Sequence, residues 1–118
     1  MKKINCTDTG LYKSFLDLLK NNTIFLKNAE KSFQIMYSHE TTTLLIGCIS
    51  SFIKSYNSYT NDEKIVNIKI VKDKLLTYDT IVRVLVDCKV FSISQASNLG
   101  MTIANIRTQL NGFEKKLS

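Results

Sequence analysis

The 118-residue chain is long enough for one domain whose core needs no disulfide. With 44% hydrophobic and 22% charged residues it is not a disordered tail, and no run approaches the ~18 apolar residues of a membrane span. A formal net charge of +6 and a pI near 9.3 suit a polyanionic partner.

Residues 1–8 lack an apolar signal core, so export is not expected. Cys6, Cys48 and Cys88 are odd in number and widely spaced, which predicts free thiols in a reducing cytoplasm. Proline is absent, which favours uninterrupted helices.

From Gly10 to about Asn21, Leu11, Phe15, Leu18 and Leu19 share one helical face. A second short helix is expected over 28–37, capped by Asn28, with Ala29, Phe33, Met36 and Tyr37 inward. The strongest helix is expected over 41–56, where Leu44, Leu45, Cys48, Ile49, Phe52, Ile53 and Tyr56 keep helical steps. Gly47 inside it costs about 1 kcal/mol against alanine, tolerable where helices cross closely. Residues 58–61 form the best internal boundary, and Thr60 with Glu63 reads as a capping box.

Residues 60–76 are ambiguous. The alternation Val66, Ile68, Ile70 suggests a strand, whereas the flanking charges and leucines favour a helix. From Asp79 another helix is expected, with Ile81, Val84, Leu85 and Cys88 inward.

Residues 91–110 read as helix, corner, helix. Ser92 and Gln95 form a second capping box. Ala96 sits four residues before Gly100, which can take the left-handed conformation that turns the chain. Ile93, Ala96 and Leu99 line one face of the first helix. Ile103, Ile106, Leu110 and Phe113 line one face of the second, expected over 102–115.

The outward side of that second helix keeps Asn105, Arg107, Thr108 and Gln109, side chains suited to base edges and phosphates. Thr102 and Thr108 are expected to bond phosphates, and Asn105, Arg107 and Gln109 to touch bases or groove walls. Arg83, Lys89, Lys115 and Lys116 are the expected phosphate anchors. Residues 80–118 carry five Lys/Arg against two Asp/Glu, half of the net charge on a third of the chain.

Other chemistry is sparse. His39 beside Glu40 is the lone histidine, no His/Cys spacing fits a metal, and the four glycines make no phosphate loop. No enzyme, metal or cofactor is expected.

Two runs resemble a known family. Residues 44–51 (LLIGCISS) and 78–90 (YDTIVRVLVDCKV), leading into the corner, are similar to the PapB-type regulators of fimbrial adhesin operons. The resemblance covers about residues 41–51 and 78–113. It implies an oligomeric DNA-binding regulator that favours AT-rich sites through the minor groove. Where that family carries a basic residue and a cysteine in its first motif helix, this chain has Ser92 and Ala96, which moves the expected contact to Arg107.

The expectation is therefore an all-α single domain over 1–118 with about six helices. An N-terminal helical part (1–59) would precede a helix-turn-helix part (78–118). The expected function is cytoplasmic, homo-oligomeric transcription regulation on AT-rich double-stranded DNA, with no membrane. The competing expectation is a non-enzymatic helical protein-interaction module or inhibitor that binds no nucleic acid.

Overall fold

The structure is a computed structural model that describes residues 5–118. Residues 1–4, part of the N-terminal segment read above, lie outside the described residues. Among the described residues the chain is all-helical: one turn of 3-10 helix (Cys6–Asp8), then α1 (Gly10–Lys27), α2 (Lys31–Asn57), α3 (Asn61–Asp87) and α4 (Ile93–Leu117).

Each helix carries an inward row at steps of three and four, which is the pattern of bundle packing. The rows are Leu11, Phe15, Leu18, Asn22 and Leu26 on α1, and Thr41, Leu45, Cys48, Phe52 and Ser55 on α2. On α3 the row is Ile68, Val71, Leu75, Tyr78, Val82 and Leu85; on α4 it is Leu99, Ile103, Ile106 and Leu110. α1 packs on α2 and α4, and α3 packs on α2 and α4, while the diagonal pairs keep their backbones apart and meet only through long side chains such as Tyr78 with Asn22 and Phe52 with Phe113, so the helices stand at the corners of a square. The links α1–α2 and α2–α3 are short, and Asn21 meets Asn98 while Ser14 meets Gln109, so every neighbouring pair runs antiparallel.

Four long helices replace the six expected, for identifiable reasons. Asn28 ends α1 rather than starting a helix, and Glu30 precedes α2. The expected break before residue 41 is absent. Residues 38–40 contain no helix breaker, and buried Thr41 must satisfy its hydroxyl, which donates back to the Tyr37 carbonyl at 2.7 Å. Residues 60–76 are helical and continuous with the next segment. Thr60 accepts from the Glu63 N–H at 3.2 Å, and the 3-4 row runs from Ile68 to Leu85 without a phase change. That single phase leaves Val66 and Ile70 exposed, so the alternation was only half buried. It also leaves Val84 and Cys88 exposed where an inward position was expected, with Tyr78 and Val82 buried instead. Met36 is likewise exposed rather than inward.

The largest correction concerns the corner at Gly100. No glycine among the described residues has positive φ, and α4 passes straight through Gly100. Leu99 belongs to the same row as Ile103, Ile106 and Leu110, all buried. Burying each such side chain is worth about 1.5–3 kcal/mol, whereas a helical glycine costs only about 1 kcal/mol. Packing therefore keeps the helix whole. The expected capping box does start it: Gln95 N–H donates to Ser92 Oγ at 3.0 Å, and Ser92 N–H donates to Gln95 Oε1 at 2.9 Å.

The true corner lies eleven positions earlier in the chain, at Lys89, the only described non-glycine residue in the left-handed region (φ 61°). Val90 N–H reaches the Leu85 carbonyl at 2.8 Å and Lys89 N–H the Val86 carbonyl at 2.9 Å, the paired bonds of a Schellman ending.

Candidate nucleic-acid interface

The inward row of α4 fixes which of its side chains face out. Asn105, Arg107 and Thr108 are exposed; Thr102 and Gln109 are half-buried at the seam with α1. No Asp or Glu occurs in α4 before Glu114, so this side is polar and free of carboxylates over most of its length. Thr102 and Thr108 donate their hydroxyls to the helix's own carbonyls at Asn98 (3.3 Å) and Ala104 (3.0 Å), leaving the oxygen lone pairs outward. Gln109 donates to Asn105 Oδ1 at 3.3 Å and to Ser14 Oγ at 3.5 Å, which ties α4 to α1.

Arg107 turns the other way, toward α3. Its Nη2 lies 3.7 Å from Asp79 Oδ2, and Arg83 Nη2 lies 3.7 Å from the same oxygen. Two of the expected cations are thus brought together over one carboxylate, in a recess of about 330 Å³ that also takes in Lys72, Asp73, Leu76 and Asn111. Lys72 is paired with Glu114 at 2.6 Å. The α3–α4 seam is therefore charge-balanced, and α3 itself holds five cationic and five acidic side chains.

The remaining expected anchors are dispersed. Lys115 and Lys116 sit in the last turn of α4, where the helix dipole favours cations. Lys89 lies just before the opposite end of α4, whose span from Ile93 to Lys115 is about 33 Å at 1.5 Å per residue. It belongs to the corner rather than to one patch with the others.

A group of cations outside the expected motif lies on the outer side of α1, the helix next to α4. Lys13, Lys20 and Lys27 are exposed along α1, seven residues apart, with only Asp17 opposing them on that helix. Their heptad spacing was visible in the sequence. What hid them was that α1 becomes a neighbour of α4 only through the fold.

Among the described residues no cluster of His, Cys, Asp and Glu can hold a metal ion, and no buried side-chain polar atom lacks a partner. His39 and Glu40 are exposed on α2, at a shallow recess with Met36, Thr43, Leu44 and Thr77. All three cysteines are free; Cys6 and Cys48 are buried and Cys88 is exposed. Burial pushes the Cys48 thiol up to about 12, with Lys74 acting weakly against it. Among the described residues no helix is long and apolar enough to cross a membrane. Comparison with protein-family models, with curated proteins and with solved structures finds no match to this chain.

Proposed function

We propose that this chain is a non-enzymatic protein that binds double-stranded DNA along the open side of α4. The observation that carries the reading is the exposed side of α4, with Asn105 on its α1 flank, Thr108 between and Arg107 on its α3 flank, on a helix without carboxylates before its last turns, in a chain of net charge +6. The mode differs from that of an inserted recognition helix. The bundle measures 49 × 25 × 22 Å, and α4 is one corner of it with α1 and α3 on either side. A major groove is about 12 Å wide, so α4 meets the groove edge and the phosphates instead of lying deep in the groove. Such shallow contacts are individually weak. A homo-oligomer multiplies them through effective concentration, and we include self-association in the proposal. Preference for AT-rich sites, with a regulatory role at a fimbrial-type operon, enters through the PapB-type resemblance alone.

The test is binding of AT-rich and GC-rich duplexes by fluorescence anisotropy across a salt series. The proposal expects tighter binding to the AT-rich duplex and a steep loss of affinity as salt rises. No binding at low salt overturns it.

A second reading is a helical protein-interaction module. It is favoured by Ile35, Met36, Val84 and Ile93, exposed near one end of the bundle with Ile93 at 82%. A partner held there by apolar contacts is bound with little salt dependence, which separates the two readings.

A further inference from the structure

We infer that Lys13, Lys20 and Lys27 form a phosphate rail on α1, the main electrostatic anchor for a nucleic-acid duplex. The inference rests on the DNA-binding reading and adds the helix that carries the charge. The three lysines lie on one exposed side of α1, and the rail spans about 21 Å at 1.5 Å per residue. Ser14 meets Gln109 at 3.5 Å and Asn21 meets Asn98 at 3.1 Å, so α1 stands beside α4, and each lysine lies about 100° round α1 from that seam, on the helix's outer side. The rail therefore lies on the outer side of the helix next to α4, and a duplex laid across α1 and α4 meets both.

Several cations elsewhere are already engaged. Arg83 and Arg107 share Asp79, Lys72 is paired with Glu114, and Lys64 donates to the Tyr56 carbonyl at 3.0 Å. Among the described residues the three rail ammonium groups have no ion pair or hydrogen bond, so binding a phosphate breaks no existing contact. Asp17 stands between Lys13 and Lys20 on the helix and pairs with neither. A duplex presents one charge per about 1.7 Å of axis with both strands counted, so about a dozen phosphates lie along a rail of this length and those on the near side face it. Three flexible lysines find partners among them without a fixed base register. The rail thus supplies affinity and orientation and leaves sequence preference to α4.

The experiment compares the full chain with Lys13→Gln/Lys20→Gln/Lys27→Gln. A control of equal charge change is Lys31→Gln/Lys54→Gln/Lys69→Gln, exposed lysines on α2 and α3. Glutamine keeps helix propensity close to that of lysine, so both variants are expected to fold; the three single rail variants provide the same readout if a triple variant does not. Anisotropy of a labelled duplex is recorded from low to moderate salt. Each lost phosphate contact lowers the slope of log affinity against log salt by about 0.9. The rail variant should lose nearly three such units, so that wild type falls about 40-fold further than the variant between 50 and 200 mM salt. The control should lose less than one unit.

Equal losses in both triple variants overturn the rail in favour of a net-charge effect. Duplex binding by wild type with an unchanged slope in the rail variant overturns the rail alone. Absence of any wild-type duplex binding overturns the rail and the DNA-binding reading together. Poly-glutamate competing as well as duplex at equal charge overturns the rail in favour of an acidic protein partner.

Discussion

Tyr78 Oη donates a hydrogen bond of 2.9 Å to Asn22 Oδ1, and both side chains are fully buried. Asn22 Nδ2 in turn donates to Thr41 Oγ1 at 2.9 Å. Three helices thus meet at one satisfied polar node inside an apolar core. Sliding any helix by a turn would strand these groups without partners, so the node sets the register of α1, α2 and α3. Tyr78→Phe removes the donor and leaves Asn22 Oδ1 buried and unpaired. It should cost about 1–3 kcal/mol in urea unfolding. Loss of well under 0.5 kcal/mol would mean that the node contributes little to the fold.

Gly100→Ala distinguishes a continuous α4 from a corner. A Cβ at Gly100 meets nothing within 4 Å, and the residue is helical. Alanine should stabilise the protein by about 0.5–1 kcal/mol. A corner with positive φ at this position would make the same change destabilising.

Lys89→Gly tests where the chain does turn. A lysine in the left-handed region carries backbone strain of about 1 kcal/mol that glycine relieves. Partial offset by the entropy of glycine leaves an expected gain of several tenths of a kcal/mol, measured by thermal unfolding. A loss of stability would contradict the Schellman ending.

Cys48 gives a pH dependence with a definite sign. Its folded thiol is pushed up to about 12 from an ordinary 9.0 by burial. Above pH 9 the unfolded chain releases this proton while the folded chain keeps it, so the unfolded state is favoured. Stability should therefore fall as pH rises from about 9 towards 12. Tyr78, also raised by burial and then by Asp79, adds to the loss in the alkaline range. Cys48→Ala should flatten the first part of this fall. Thiol labelling of the folded protein near pH 8 should modify Cys88, the exposed thiol, while Cys48 and Cys6 react after unfolding.

What was legible before the fold was known follows from burial. Rows such as Leu11, Phe15 and Leu18, or Ile103, Ile106 and Leu110, repeat because they face one core, and they stand buried as their spacing required. Helix ends were harder to read. Asn28 and Gly100 each permit a break, yet permission is a local property and the decision is tertiary. At Gly100 the buried row outweighs the cost of glycine. At Lys89 the chain turns on a residue whose type gives no sign of it, because the turn is set by where α3 and α4 must stack. The outward side of α4 was legible as the complement of its buried row. The pairing of Arg107 with Asp79 was not, since it depends on the register of α3 against α4, and neither was the nearness of the α1 lysines.

The most direct test of the central claim is duplex affinity of Asn105→Ala/Arg107→Ala. Both residues are exposed, so stability should change by no more than about 0.5 kcal/mol per site. The account predicts at least a tenfold weaker complex with an AT-rich duplex at moderate salt, about 1.4 kcal/mol. Affinity equal to wild type in a folded variant would contradict binding along the open side of α4.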